Sequence, residues 1–309
     1  MTLPVFLLRV IAFFQALISF ITYGSWTSEI TYPVKPVIIP APESPASLDL
    51  DGFTLVWEDE FDGNAVDSTK WTGYKCSAEK SKTRMGCWWN TDMASVRDGN
   101  LHIQTKYYDK GYKGGRRGWY SCGLCTDGLF DQTYGYFEIR CILSKGIGSW
   151  SAFWMMPHNI NNSIGNGGTD GAEIDICEAA YYQYKLSDNV NVVSSAIHYD
   201  AYGSEHRQKT ACTPFIENND PYEEYNTYGV EWNDKEYIFY INGVETGRTD
   251  FGGTSKVPEY MIIDCNVNGM KGFPLNGWVG DALTFDSEAP TDFIVDYVSV
   301  YQYNSLPGQ

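Results

Sequence analysis

The chain has 309 residues, enough for one large domain or two ordinary ones, and a formal net charge of −17. That acidic balance excludes a nucleic-acid partner, which needs a basic surface. It suits a neutral or weakly charged substrate; the basic run at residues 110–117 (KGYKGGRR) reads first as a solvated loop.

Residues 3–23 are almost wholly apolar, interrupted by Arg9. The uninterrupted part has the length of a secretory h-region rather than a full membrane span. No small-x-small cleavage motif follows it. A signal peptide and a retained signal-anchor therefore both fit residues 1–26, and either puts the rest of the chain outside the cytoplasm, secreted or membrane-anchored through residues 3–23. Residues 27–50 carry Pro33, Pro36, Pro40, Pro42 and Pro45, a density that no packed element tolerates, so they read as an extended linker. The folded domain is expected over residues 51–303, with 304–309 as a tail.

Inside that domain, short alternating stretches recur at 53–57, 101–105, 135–143, 150–156, 192–198, 228–232, 237–241 and 293–301. Turn residues separate them: Asp98-Gly99-Asn100, Lys145-Gly146, Asn233-Asp234 and Asn242-Gly243. The last pair, between Ile241 and Val244, is a type I′ hairpin signal. Many strands, short connections and few helices predict an all-β, two-sheet sandwich with a concave face. Aromatics make up 16% of the residues, which suits both a β-sandwich core and a platform for sugar rings.

The eight cysteines, an even number behind an apolar leader, favour an oxidising compartment and disulfides, whose pairing the sequence does not give. Cys122 and Cys125 have CxxC spacing but no second pair, which argues against zinc.

The densest chemistry lies at Glu173-Ile174-Asp175-Ile176-Cys177-Glu178. Glu173 and Asp175 share one face of a strand. Glu178, five positions from Glu173, falls on the other face unless a β-bulge near Ile176-Cys177 adds one residue and restores the phase. With that bulge all three acids face one cleft, while Ile174 and Ile176 face the core. Paired carboxylates on one strand can act as nucleophile and acid/base in retaining glycoside hydrolysis. Asn161-Asn162-Ser163 is a glycosylation sequon.

These motifs together resemble glycoside hydrolase family 16. The resemblance runs through Leu55-Val56-Trp57-Glu58-Asp59-Glu60-Phe61-Asp62-Gly63 and Lys70-Trp71, then Tyr134-Gly135-Tyr136-Phe137-Glu138-Ile139-Arg140 and Ser149-Trp150-Ser151-Ala152-Phe153-Trp154-Met155-Met156-Pro157. It continues with the E-x-D-x-x-E run, Tyr228-Gly229-Val230-Glu231-Trp232, Phe239-Tyr240-Ile241-Asn242-Gly243 and Val295-Asp296-Tyr297-Val298. It implies a concanavalin-like jelly-roll sandwich whose concave sheet carries the substrate cleft, and retaining hydrolysis of β-linked glycans. The extra residue in the acidic run is similar to the laminarinase and agarase branch of the family.

By resemblance, Glu173 is the nucleophile, Glu178 the acid/base and Asp175 the carboxylate between them. A central carboxylate can hydrogen-bond the nucleophile and raise its neighbour's proton affinity. The resemblance also places His198 beside the acid/base, and Trp89 and Asn90 in a loop near the cleaved bond. Trp150 and Trp154 share a strand face and either stack on sugars or fill the core. Glu60, Gly99 and Asp296 match the positions of a structural calcium; no cofactor is implied for catalysis. The expected activity is an endo-acting β-1,3-glucanase or mixed-linkage glucanase, acting as a monomer on polysaccharide. A β-galactan hydrolase, a cell-wall transglycosylase and an inactive glycan-binding protein are the alternatives.

Overall fold

The computed structural model describes residues 48–76, 87–146, 148–160, 164–181, 193–212, 216, 219–267 and 290–306. The apolar leader, the proline-rich linker as far as residue 47 and the Asn161 sequon lie outside the described residues. Among the described residues no helix is long and apolar enough to cross a membrane.

The chain is built from short strands. The first half runs through β1 (Phe53–Asp59), β2 (Thr72–Gly73), β3 (Cys87–Trp89), β4 (Ala94–Arg97), β5 (Asn100–Ile103), β6 (Lys106–Tyr108), β7 (Gly118–Ser121), β8 (Gly123–Cys125) and β9 (Gly135–Ile142). The second half runs through β10 (Ser149–Pro157), β11 (Glu173–Ala180), β12 (Ser194–Tyr199), β13 (Arg207–Cys212), β14 (Asn226–Trp232), β15 (Tyr237–Ile241), β16 (Val244–Thr249), β17 (Glu259–Val267) and β18 (Phe293–Tyr303). A single turn of 3-10 helix at Thr91–Met93 lies between β3 and β4.

Two large sheets form an all-β jelly-roll sandwich. One has the order β16-β15-β14-β9-β18-β5-β4, with β1 also paired to β18; the other has the order β13-β12-β11-β10-β17-β8-β2. Alternation along each strand decides what faces what. Phe137, Ile139 and Cys141 of β9 meet Phe153 and Met155 of β10 and Ile174 and Ile176 of β11 in one core. The alternate residues of β10 and β17, including Ala152, Trp154, Met156, Tyr260 and Ile262, form a second cluster on the opposite face of the seven-stranded sheet. A small sheet, β3-β7-β6, supplies Trp89, Trp119 and Tyr107 to that second cluster. It therefore walls one end of the cleft face.

Tight turns set the register of the outer hairpins. Asn242 and Gly243, between β15 and β16, have φ of 50° and 72°, and Asp98 and Gly99, between β4 and β5, have 54° and 73°. Positive φ at both central positions is the type I′ signature that matches strand twist.

All eight cysteines are free thiols, which corrects the disulfide expectation. The physical reason is placement. Cys141, Cys177 and Cys265 are fully buried members of the main core, where a thiol serves as a small apolar side chain.

Candidate active site

The site begins with a register change. Across β10, Phe153 pairs with Cys177 but Trp154 pairs with Asp175, so Ile176 is the extra residue. Across β12, Asp175 pairs with Ala196 and Glu178 with Ser194, so Ile176 and Cys177 together oppose Ser195. This is a β-bulge, and its exposed carbonyl is satisfied: Ser195 Oγ donates to Ile176 O at 2.8 Å. Ile174, Ile176 and Cys177 all turn into the core. Glu173, Asp175 and Glu178 line one pocket with Trp150, Ala152, Trp154, Asp264 and Asn266.

Within the pocket, Glu173 and Asp175 are buried and Glu178 is half-buried. His198 pairs with Glu173 across the β11–β12 ladder, and its Nε2 lies 3.1 Å from Asp175 Oδ2. Burial pulls the His198 pKa down, but its bond to Asp175 and the negative charges of Asp175 and Glu173 outweigh burial and leave it raised. On the other side, His198 Nδ1 lies 3.0 Å from His206 Nε2. Behind the pocket carboxylates, His198 pairs with Asp175.

Trp150 and Trp154 both line the pocket, while Phe153 and Met155 take the core positions. Trp154 is held by its indole N–H, which donates to Asp264 Oδ1 at 3.0 Å. Asn266 Nδ2 donates to Asp264 Oδ2 at 2.7 Å. Trp89 is 1% exposed, so its ring builds the cleft wall instead of offering a face to a sugar. It packs against Tyr74 at 5.8 Å between ring centres, and a Cβ on Gly123 would meet the Trp89 ring at 2.9 Å. The Asn90 side chain accepts the Asp92 N–H and caps the 3-10 turn.

Sequence reasoning missed three parts of this site. Asp264 and Asn266 lie on β17, whose run Tyr260-Met261-Ile262-Ile263 reads as plain core; the period-two polar pair that follows was the available signal. Tyr202, in the loop after β12, donates its phenol O–H to Glu173 Oε2. Glu259, fully buried at the start of β17, accepts the Ala172 N–H through Oε1 at 3.1 Å, one residue before Glu173. Burial pushes its pKa up to about 8.

The residues matched to calcium gather beside β18, inside the eight-stranded sheet. β1 and β5 both border β18, which brings the end of β1, the β4–β5 turn and Asp296 to the same stretch. Burial raises the Glu60 pKa, and the charges of Glu58, Asp296, Asp62 and Asp59 raise it further. Asp296 Oδ2 accepts from the Arg140 guanidinium. The donor set is hard oxygen, as calcium prefers.

Comparison with known proteins places this architecture. A model of the glycoside hydrolase family 16 domain of β-porphyranases A–D matches residues 56–303. An endo-1,3-1,4-β-glycanase of Rhizobium meliloti, EglC, is 28% identical over 213 residues, covering 68% of this chain and 40% of the relative. A keratan-sulfate endo-1,4-β-galactosidase of Sphingobacterium multivorum is 28% identical over 263 residues, covering 81% of this chain and 55% of the relative. The chain thus spans about half the length, or less, of these two curated relatives. Among solved structures, SCLam, a non-specific endo-β-1,3(4)-glucanase, superposes with a TM-score of 0.62 at 26% identity, covering 82% of this chain and 92% of that one. The chain belongs to glycoside hydrolase family 16, with a domain of the β-porphyranase A–D type.

Proposed function

We propose that the chain is a retaining, endo-acting hydrolase of β-linked polysaccharide. The observation that carries this reading is the bulge at Ile176, which turns Glu173, Asp175 and Glu178 into one pocket. In the reaction, a Glu173 oxygen attacks the anomeric carbon while Glu178 gives its proton to the departing glycosidic oxygen. Water then attacks the glycosyl-enzyme, Glu178 takes the water's proton, and Glu173 leaves as carboxylate. Asp175, paired with His198, is the carboxylate between the two acids. Trp150 and Trp154, 7% and 3% exposed, form the pocket wall beside the carboxylates.

The first substrate reading is a β-1,3- or mixed-linkage glucan, supported by the likeness to EglC and SCLam. A second reading, a β-galactan, is supported by the porphyranase-type domain and by the basic rim. Arg116 lies over Trp88 and Arg117 over Tyr107, on the small sheet that walls the cleft. Incubation with laminarin, mixed-linkage glucan, agarose, carrageenan and porphyran, with products resolved by size, separates the two. A ladder from laminarin supports the glucan reading. Cleavage of galactans alone selects the second. Binding without cleavage of any of the five removes the hydrolase reading.

Two further parts of the reading concern its setting. The apolar segment at 3–23, together with a polymer as substrate, supports action outside the cytoplasm, secreted or membrane-anchored. Asp296 with the backbone at Glu60 and Gly99 would hold a structural calcium, which has no chemical part in hydrolysis. Chelation should then lower the melting temperature, and calcium should restore it; a melting curve indifferent to both removes the metal.

A further inference from the structure

The loop that follows β12 has no part in the scheme above, yet it reaches the reacting carboxylate. Asp200 and Ala201 both adopt left-handed backbone, with φ of 60° and 62°. Two adjacent non-glycine residues in that region are uncommon and cost energy, more plainly for alanine, which has no polar side chain to compensate. The turn is anchored: Asp200 is buried and its Oδ1 accepts the Gly165 N–H at 3.3 Å. Its product is the position of Tyr202. That side chain is 53% exposed at the cleft edge, yet its hydroxyl donates to Glu173 Oε2 and also lies 3.5 Å from Met156 Sδ. His206 braces it from behind, with ring centres 5.6 Å apart, and stacks on His198 at 5.1 Å with an interplanar angle of 15°.

We propose that Tyr202 is a positioning residue for the nucleophile, held by the strained turn at Asp200-Ala201 and braced by His206, so that one loop supports both Glu173 and the Asp175–His198 pair. This inference rests on Glu173 being the nucleophile. The physical reason is that a phenol O–H on a carboxylate oxygen is a charge-assisted bond, strongest when the carboxylate is ionised. It favours the ionised nucleophile before attack. It stabilises the same carboxylate again when Glu173 departs from the glycosyl-enzyme.

Tyr202 acts among other ionisable groups. Glu173 shares its surroundings with Asp175 and Glu178 from β11, His198 from β12, and Glu259, Tyr260 and Asp264 from β17. Of these, only His198 can carry positive charge; His206 behind Tyr202 can as well, its pKa lowered by burial and by the His198 charge. Tyr202 is therefore a donor to the nucleophile that stays neutral at every working pH, because burial and the Glu173 charge push its own pKa upward.

The test is Tyr202→Phe, which keeps the ring at the cleft edge and removes only the donor. On the cleaved polysaccharide of the panel, kcat should fall about 10- to 100-fold with KM changed less than about twofold. The acidic limb of kcat/KM should move about one pH unit upward, because an ionised Glu173 loses its donor. With an aryl β-glycoside of the cleaved oligosaccharide, a burst of the phenol should appear as glycosyl-enzyme breakdown slows, because the leaving group departs before water frees the sugar. A melting temperature that drops while the acidic limb stays in place would mark a merely structural residue and overturn the proposal, as would unchanged kinetics. Glu173→Gln run in parallel keeps the two claims apart. If it is inactive and Tyr202→Phe is normal, only the present inference is lost; if it keeps activity, the nucleophile assignment itself is lost.

Discussion

The two large sheets use the same chemical pair, a tyrosine hydroxyl on a glutamate, to opposite ends. On the eight-stranded sheet, Glu138 accepts from Tyr136 at 2.6 Å and from Tyr297 at 2.7 Å, and Glu231 accepts from Tyr240 at 3.1 Å and Tyr303 at 2.7 Å. Each carboxylate there has both oxygens taken, and Glu138 is buried beneath the rings that bond it. On the seven-stranded sheet, Glu173 accepts from Tyr202 and lines a pocket. Burial alone therefore does not mark the reactive acid, since Glu138 is buried and its pKa is raised by burial too. The bulge and the opening onto a pocket make the difference.

The largest contrast is between two identical substitutions. Glu173→Gln should cost about three powers of ten or more in kcat with little change in melting temperature. Glu138→Gln should leave the activity of the folded protein intact and lower stability by about 1–3 kcal/mol, because one phenol then faces an amide instead of a carboxylate. If Glu138→Gln abolished turnover in a protein that still melts cooperatively, the division between the sheets would be wrong.

A smaller effect is expected at the bulge. Ser195→Ala removes the hydroxyl from the Ile176 carbonyl, which should cost about 1–3 kcal/mol in chemical denaturation. With the bulge loosened, Glu178 is held less firmly, and kcat/KM should fall roughly tenfold. Full activity with full stability would show that the bulge needs no such support.

A further effect is a pH dependence. Glu259 is raised to about 8 in the folded chain, above an unfolded value of about 4.3. Between those values the native state holds a proton that the unfolded state has released, so stability present at low pH is lost as pH rises through about 8. Melting temperatures at pH 5 and pH 8.5 should differ more in the native protein than in Glu259→Gln. Equal slopes would place the proton elsewhere.

Much of this was legible in the sequence because it rests on phase. A regular strand would bury Glu178 with Ile174 and Ile176; only a bulge keeps both isoleucines in the core and all three acids on the cleft face. Asn242-Gly243 likewise specifies its turn, because few residues tolerate positive φ twice in succession. The rest depends on what a distant segment lays over a strand. Trp150 and Trp154 alternate with Phe153 and Met155, which are as apolar, so the pattern does not say which set faces the cleft. Trp89 looks exposed by neighbourhood, yet β7 pairs beside it in parallel and buries it. Tyr202 lies in a loop without periodicity, and its aim comes from backbone angles that composition does not encode.

The absence of a side chain at Gly123 has a consequence for how this domain tolerates change. Gly123 lies on β8, which pairs with β17 on one edge and β2 on the other. Yet even one methyl group there would drive the Trp89 ring toward Tyr74, which itself abuts Trp154 at 5.5 Å. Random mutagenesis for altered cleft width should accordingly find position 123 intolerant of every replacement, while a smaller residue in place of Trp89 opens room for them. The pair would be inherited or exchanged together.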